Sequence, residues 1–198
     1  MSFAGRFPVG FELWRRVILL YGKRPRLVAL ADCSYTGRMV MGSTIHMRQA
    51  TPEDASIIAR HRHRMFVDAG RADNSALRRT TEKFESWVAP MMREGKYMGW
   101  LAVHDGKVVG GAGLMIMDWP PHPLDPEPHR GYLLNVYVEP EFRRKRVASN
   151  LIELALAEAR CRRIRVVSLH ATEESRRMYE SSGFRRTNEM FYVEPVEG

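Results

Sequence analysis

The chain has 198 residues and a formal net charge of +8, from 31 Lys and Arg against 23 Asp and Glu. It contains no apolar run of 18 residues, and its two cysteines, Cys33 and Cys161, form no CxxC pair. A membrane span and a disulfide framework are therefore not expected, and a reducing, cytoplasmic location is the simplest expectation.

The positive charge is unevenly distributed along the chain. Residues 1–43 hold seven Lys and Arg and two Asp and Glu, which gives +5 and leaves +3 for the other 155 residues. This first segment mixes Gly, Pro, Arg and scattered aromatics without clear periodicity. We expect a basic, poorly ordered extension outside the core, followed by a folded domain over 44–198. The mild charge of that domain argues against nucleic-acid binding by the whole protein.

The folded domain is predicted to begin with a strand and a helix. Residues 44–50 alternate in polarity, and Thr51-Pro52 followed by two acids is typical of a helix start. His61 and His63 lie on this helix two residues apart, so they do not share a face. We therefore expect no metal site there.

The next segments predict a second helix and a β-hairpin. The helix spans about 75–94, and strands over 97–103 and 107–117 flank an Asp-Gly turn. A helix does not follow the glycines of the second strand, so we interpret them as close packing or a bulge and not as a nucleotide loop. These glycines are Gly110, Gly111 and Gly113. The Pro-rich loop at 118–130 is predicted either to border a substrate pocket or to be a stiff surface connection.

A dense basic run lies between a strand and a helix. Residues 132–138 are apolar and aromatic, Pro140 ends that strand, and a helix is predicted from about Val147. Residues 143–146 between them read Arg-Arg-Lys-Arg. Cations at a helix N-terminus oppose the helix dipole, whereas backbone N–H groups surrounded by guanidinium groups suit a phosphate ester. The alternative is a solvated run of charges in a loop.

The C-terminal part completes an alternating pattern of strands and helices. We expect a strand over 164–169, a short helix over 173–182 that Gly183 ends, and a last strand over 190–193. The whole order is β-α-α-β-β-β-α-β-α-β, which predicts a mixed α/β domain around one sheet.

Two segments resemble the hallmarks of the GNAT N-acyltransferase superfamily. Val136-Tyr137-Val138-Glu139-Pro140-Glu141-Phe142-Arg143-Arg144-Lys145-Arg146-Val147-Ala148 is similar to the family's acyl-coenzyme A signature. Met178-Tyr179-Glu180-Ser181-Ser182-Gly183-Phe184 is similar to its Leu-Tyr-Glu-x-x-Gly-Phe motif. The resemblance covers roughly 44–198. It implies an α/β (α+β) fold with a mixed, mostly antiparallel central sheet flanked by helices and a splay between the fourth and fifth strands.

The resemblance also implies an activity, namely acetyl transfer from the co-substrate acetyl-CoA to a primary amine of a small molecule or peptide, with no metal. Tyr179 would donate a proton to the leaving thiolate, and the backbone N–H of Val136 would polarise the thioester carbonyl. The residues expected to bind the cofactor are Val136, Tyr137, Val138, Arg143, Arg144, Lys145, Arg146, Val147, Ala148, Ser149 and Thr172.

The general base and the acceptor are less defined by the sequence. His170 ends the fifth strand and has a suitable natural pKa for a catalytic base, so it is paired with Tyr179 as a catalytic candidate. Glu139, Tyr137 and Asn135 remain alternatives. Asn135, Asp118 and Glu189 are expected to bind the acceptor, and further candidates for its pocket are His122, Arg130 and Met190.

Arg146 stands where the resemblance would place a glycine. We expect it to adopt a backbone conformation that is unfavourable for a side chain, with added charge or weaker cofactor binding as the result. Two other functions stay open, an acyl-CoA-binding sensor without transfer and, less favoured, a nucleic-acid-binding module. No nucleic-acid or membrane partner is expected, and a homodimer is an open alternative.

Overall fold

The computed structural model describes residues 45–187, in which five strands form one sheet in the order β1-β2-β3-β4-β5. The first four strands are antiparallel to their neighbours, and β5 lies parallel to β4. This confirms the mixed, mostly antiparallel sheet. The strands are β1 (His46–Gln49), β2 (Tyr97–His104), β3 (Lys107–Asp118), β4 (His129–Val138) and β5 (Val167–Ser168).

Helices cover both faces of this sheet. They are α1 (Ala55–Asp68), α2 (Ser75–Arg93), α3 (Val147–Cys161) and α4 (Arg176–Ser181), with 3-10 turns at Pro52–Asp54 and Pro140–Phe142. Alternate residues of β2 contact different cores: Tyr97 and Leu101 pack with α1 and α2, whereas Met98 and Trp100 pack with α3. Because successive strand side chains point to opposite faces, α1 and α2 lie on one face and α3 on the other.

The start of α1 is fixed by a buried carboxylate. Asp54 accepts two hydrogen bonds of 2.7 Å from the guanidinium of Arg48 and one of 2.9 Å from the backbone N–H of Thr51. These bonds hold the pKa of Asp54 below its usual value, with the Arg48 bond as the largest cause. The predicted Thr-Pro-acid helix start is thus present, and it ties α1 to β1.

The glycines of β3 allow close packing, as predicted. A Cβ atom at Gly113 would collide with the hydroxyl of Tyr97, and one at Gly110 would lie 2.9 Å from the carbonyl oxygen of Tyr137. The pairing of β3 with β4 also shifts register between Gly111 and Gly113. A bulge and close backbone approach therefore account for these glycines.

The structure differs from the sequence prediction mainly around β5. This strand has two residues where 164–169 was expected, because Ile164 and Arg165 are bonded elsewhere. The N–H of Ile164 closes the end of α3 on the Ala159 carbonyl at 2.9 Å, and the N–H of Arg165 donates to Asp125 at 3.1 Å. The expected extension over 1–43 and last strand over 190–193 lie outside the described residues. Within 45–187 no helix is long and apolar enough to cross a membrane.

Candidate active site

Strands β4 and β5 part soon after they meet. Their pairing comprises Gly131 with Val167 and Tyr132 with Ser168. Residues 133–138 of β4 continue beyond that point, and within the described residues they have no partner strand on the β5 side. The predicted splay between the fourth and fifth strands is therefore confirmed, and it leaves a strand edge with unused backbone hydrogen-bonding groups.

A bulge lies on β4 where the splay opens. Gly113 pairs with Leu134 and Gly111 with Tyr137, so Asn135 and Val136 together face a single residue of β3. Asn135 adopts a positive φ of 56° and is only 3% exposed. Bulges frequently redirect side chains and backbone groups next to active sites.

Polar contacts hold the Asn135 side chain in place. Its Oδ1 accepts a hydrogen bond of 2.7 Å from Nη1 of Arg62, and its Nδ2 donates at 3.0 Å to the hydroxyl of Tyr97. Burial raises the pKa of Tyr97 to about 12, so this hydroxyl stays protonated. An amide cannot serve as a general base, and Asn135 is better suited to fix the bulge or to contact a ligand.

The basic loop after β4 is anchored through its first arginine. Nε of Arg143 donates to the carbonyl of Val138 at 2.9 Å, and its guanidinium forms an ion pair with Asp68 at the end of α1. These contacts occupy the side chain with protein groups. Arg143 therefore fixes the loop to β4 and α1. The sequence pattern did not distinguish this structural role from phosphate binding.

The other basic residues of the loop project into solvent. Arg144 and Arg146 are exposed and form no ion pair with any described residue, and Nζ of Lys145 lies 5.0 Å from the ring centre of Phe142. Arg144 and Arg146 have φ values of 60° and 62°. Both values lie in the left-handed region, which confirms the unfavourable backbone conformation predicted for Arg146.

Helix α3 begins directly after this loop and presents its positive end. The first intrahelical bond runs from the N–H of Asn150 to the carbonyl of Arg146, and no side chain of the described residues caps the helix start. The N–H groups of Val147, Ala148 and Ser149 precede that bond. The buried side chain of Val147 anchors the first turn, so these donors and the adjacent cations make up a candidate anion site.

Tyr179 lies on α4 with its side chain mostly inside the protein. It is 9% exposed, and its ring packs against Phe184 at 5.9 Å between centres. Burial raises the pKa of Tyr179 to about 12, with a smaller contribution from Tyr132. The phenol is therefore protonated at neutral pH and able to donate a hydrogen bond.

His170 lies just beyond the point where β4 and β5 separate. Its Nδ1 contacts the hydroxyl of Tyr132, the β4 residue that pairs with Ser168. Tyr132 also influences the Tyr179 phenol electrostatically. Tyr132 thus contacts one of the two catalytic candidates that the sequence suggested, although it was not itself predicted as a site residue.

The other candidate bases are bound in a separate network. Glu139 accepts two hydrogen bonds of 2.5 and 2.6 Å from Arg64 and one of 3.0 Å from the hydroxyl of Tyr137. Burial, followed by the bond to Glu139, raises the pKa of Tyr137. A carboxylate already bound by a guanidinium and a protonated phenol are both poor proton acceptors, so this geometry favours His170.

The remaining predicted site residues are dispersed. Asp118 lies 3.5 Å from His129 at the start of β4. His129 is six residues before Asn135, or about 20 Å along the strand. Thr172 accepts a hydrogen bond from the N–H of Ser175 at 3.3 Å and so stabilises the turn before α4. Glu189 and Met190 lie outside the described residues. Within 45–187 no three His, Cys, Asp or Glu side chains are grouped to hold a metal ion.

Arg62 and Tyr97 were not predicted as site residues from the sequence, although the position of Arg62 in its helix could have indicated it. It is four residues after Ile58 and four before Phe66, which places a charged residue on the apolar side of the helix. Such a position calls for a specific partner, which here is Asn135. Tyr97 could not be recognised, because a tyrosine in an apolar strand is ordinarily a core residue.

Comparison with known proteins agrees with this architecture. The model of the acetyltransferase (GNAT) family matches residues 58–184. A GCN5-related N-acetyltransferase from Ralstonia eutropha JMP134 is 36% identical, covers 78% of this chain and 100% of its own, and superposes with a TM-score of 0.72. No curated protein sequence gives a significant match.

Two more distant structures share the fold. A predicted acetyltransferase from Clostridium acetobutylicum, solved with acetyl-CoA, is 23% identical over 76% of this chain and 96% of its own, with a TM-score of 0.71. Glucosamine-6-phosphate N-acetyltransferase from Arabidopsis thaliana is 15% identical over 78% and 99%, with a TM-score of 0.56. With the family model matching well over half of the sequence, this chain belongs to the GNAT acetyltransferase family and is an acyltransferase.

Proposed function

We propose that this protein transfers the acetyl group of acetyl-CoA to a primary amine of a small molecule or peptide. The observation that supports this most strongly is the continuity between the β4–β5 splay and the anion site at the start of α3. A long donor with an amide-rich arm and a pyrophosphate fits such a surface. Relatives of the same fold solved with acetyl-CoA or with CoA add support.

The donor side uses backbone groups and charge. The unpaired edge of β4 from Val136 to Val138 suits the amides of the pantetheine arm. The N–H groups of Val147, Ala148 and Ser149 suit the pyrophosphate, with Arg144 and Arg146 adding charge. Arg143 contributes by holding the loop closed against β4 and α1.

The proposed chemistry is direct attack by a neutral amine on the thioester carbon. The new C–N bond forms, the C–S bond breaks, the amine gives up a proton to His170, and the sulfur accepts one from Tyr179. We expect the N–H of Val136 at the bulge to stabilise charge on the carbonyl oxygen. His170 is exposed, so after each turnover it can release the proton to water, and the Tyr179 phenolate can regain one from water.

The test combines binding and turnover. Calorimetry with acetyl-CoA measures donor binding, and a thiol-release assay across a panel of amines measures transfer. We expect saturable acetyl-CoA binding and thiol release that depends on the added amine. Binding without release on any amine would instead support the sensor function and would refute the proposed transfer.

A further inference from the structure

Arg62 is a half-buried cation on α1 without an acidic partner among residues 45–187. Several other arginines pair with a carboxylate, such as Arg48 with Asp54, Arg64 with Glu139 and Arg143 with Asp68. No carboxylate of the described residues forms an ion pair with Arg62. Withdrawing a guanidinium from water without a counter-ion costs folding free energy. Such a residue is kept where an anionic ligand can bind it.

The contacts of Arg62 leave part of its hydrogen-bonding capacity unused. The guanidinium carbon lies 4.7 Å from the ring centres of both Phe66 and Phe84, and Nη1 donates to Asn135. The Nε–H group is buried and has no hydrogen-bond partner in the described residues. The aromatic contacts restrict the guanidinium, so a further partner would meet its N–H groups in the guanidinium plane, as a carboxylate does.

The position of Arg62 connects it with the proposed chemistry. It holds the bulge residue Asn135 on β4, at a level where pairing with β5 has already ended. Tyr132, whose hydroxyl contacts His170, lies three residues before Asn135 on the same strand. A cation is therefore present on the α1–α2 face of the splay, near the group proposed to take the amine's proton.

We propose that Arg62 binds an anionic group of the acceptor, so that the acceptor is an amine that also carries a carboxylate. The inference rests on the proposed function and narrows its acceptor class to amino-acid-like molecules. A role confined to fixing Asn135 would need only a hydrogen-bond donor. The contacts with Phe66 and Phe84 also use the positive charge, but they engage the flat faces of the guanidinium and leave its unpaired in-plane Nε–H group to an anion.

The experiment compares paired acceptors in matched variants. The α-amino acids, β-alanine and γ-aminobutyrate are assayed with saturating acetyl-CoA beside the corresponding carboxamides. The measured quantity is the ratio of kcat/KM for acid over amide in the wild type, Arg62→Gln and Arg62→Lys. Comparing this ratio between variants cancels the difference in amine basicity within each pair. Arg60→Gln, an exposed position on the same helix, is the matched control.

We expect the wild type to prefer at least one acid over its amide, and Arg62→Gln to reduce that ratio at least tenfold while amide turnover persists. Arg62→Lys should retain part of the preference, and Arg60→Gln all of it. An equal loss for acids and amides in Arg62→Gln, or equal use of both by the wild type, would overturn the inference.

A second measurement separates this inference from the proposed function. The CoA-loaded protein is titrated calorimetrically with N-acetyl amino acids and with their carboxamides, which requires no turnover. Preferential acid binding that Arg62→Gln abolishes would support the anion site even if no amine were acetylated. Binding of neither compound, or of both equally, would overturn it.

Discussion

Replacing Arg146 by glycine should stabilise the protein, because this residue holds a strained backbone at the start of α3. Its φ of 62° and ψ of 11° lie in the left-handed region. A side chain in this region costs roughly 1–2 kcal/mol. Glycine removes that cost but loses about 0.5–1 kcal/mol through the greater entropy of its unfolded chain. Removing a cation from the positive end of the helix adds about 0.3–1 kcal/mol. The net gain should be about 1 kcal/mol, or about 2–4 °C in Tm.

Arg163→Gly is the matched control for this prediction. Arg163 has a φ of 60° just after the end of α3, where its N–H donates to the carbonyl of Arg160 at 3.0 Å. It shares the strain, but its charge lies at the negative end of the helix, so glycine there should yield a smaller gain. Thermal and urea unfolding of both variants measure the two effects. No gain at Arg146 beside a clear gain at Arg163 would refute this account of the loop.

Donor binding should respond differently in these two variants. Removing the Arg146 charge should make acetyl-CoA affinity less sensitive to salt, because one exposed cation near the pyrophosphate is lost. Arg163 lies at the other end of α3 and should leave the salt dependence unchanged. Calorimetric titrations at several ionic strengths test this, and an unchanged dependence in Arg146→Gly would place that side chain away from the donor phosphates.

Three further changes probe the catalytic residue, a buried histidine and the core. Tyr179→Phe should lower kcat by about 100-fold with unchanged acetyl-CoA affinity, and steady-state kinetics with unaltered kcat would exclude Tyr179 as proton donor. His61 is 1% exposed, and burial lowers its pKa from 6.5 to about 4. The unfolded chain therefore takes up the proton first, so stability should fall by up to about 3 kcal/mol as the pH drops from 6.5 towards 4. Urea unfolding of His61→Phe should show a shallower loss over that window, and equal slopes would contradict the assignment. Leu151→Ala, at a fully buried position of α3, should cost about 2–5 kcal/mol, and a loss below about 1 kcal/mol in urea unfolding would contradict the packing.

The elements around the basic loop could be predicted because local rules dominate there. Val147 begins α3 as expected, and the helix buries one apolar face, formed by Leu151, Ile152, Ala155 and Ala159. The Asp-Gly turn and the end of the helix at Gly183 could likewise be predicted, since each needs a positive φ. Periodicity, turn chemistry and a two-part motif therefore determined most of the fold around the donor side.

The acceptor side could not be predicted in the same way, since its contacts join distant parts of the chain. Asn135 meets Arg62 across 73 residues and Tyr97 across 38 residues. Arg143 appeared to be one of four equivalent cations until Asp68, 75 residues away, proved to be its partner. Which cation remains available for a ligand is decided by such tertiary pairs, and sequence spacing does not reveal them.

A crystal structure with bound CoA tests the central claim most directly. We predict pantetheine density along Val136–Val138 within the β4–β5 splay and the pyrophosphate on the N–H groups of Val147, Ala148 and Ser149. CoA bound elsewhere on the protein, or a pyrophosphate held without contact to the start of α3, would contradict it.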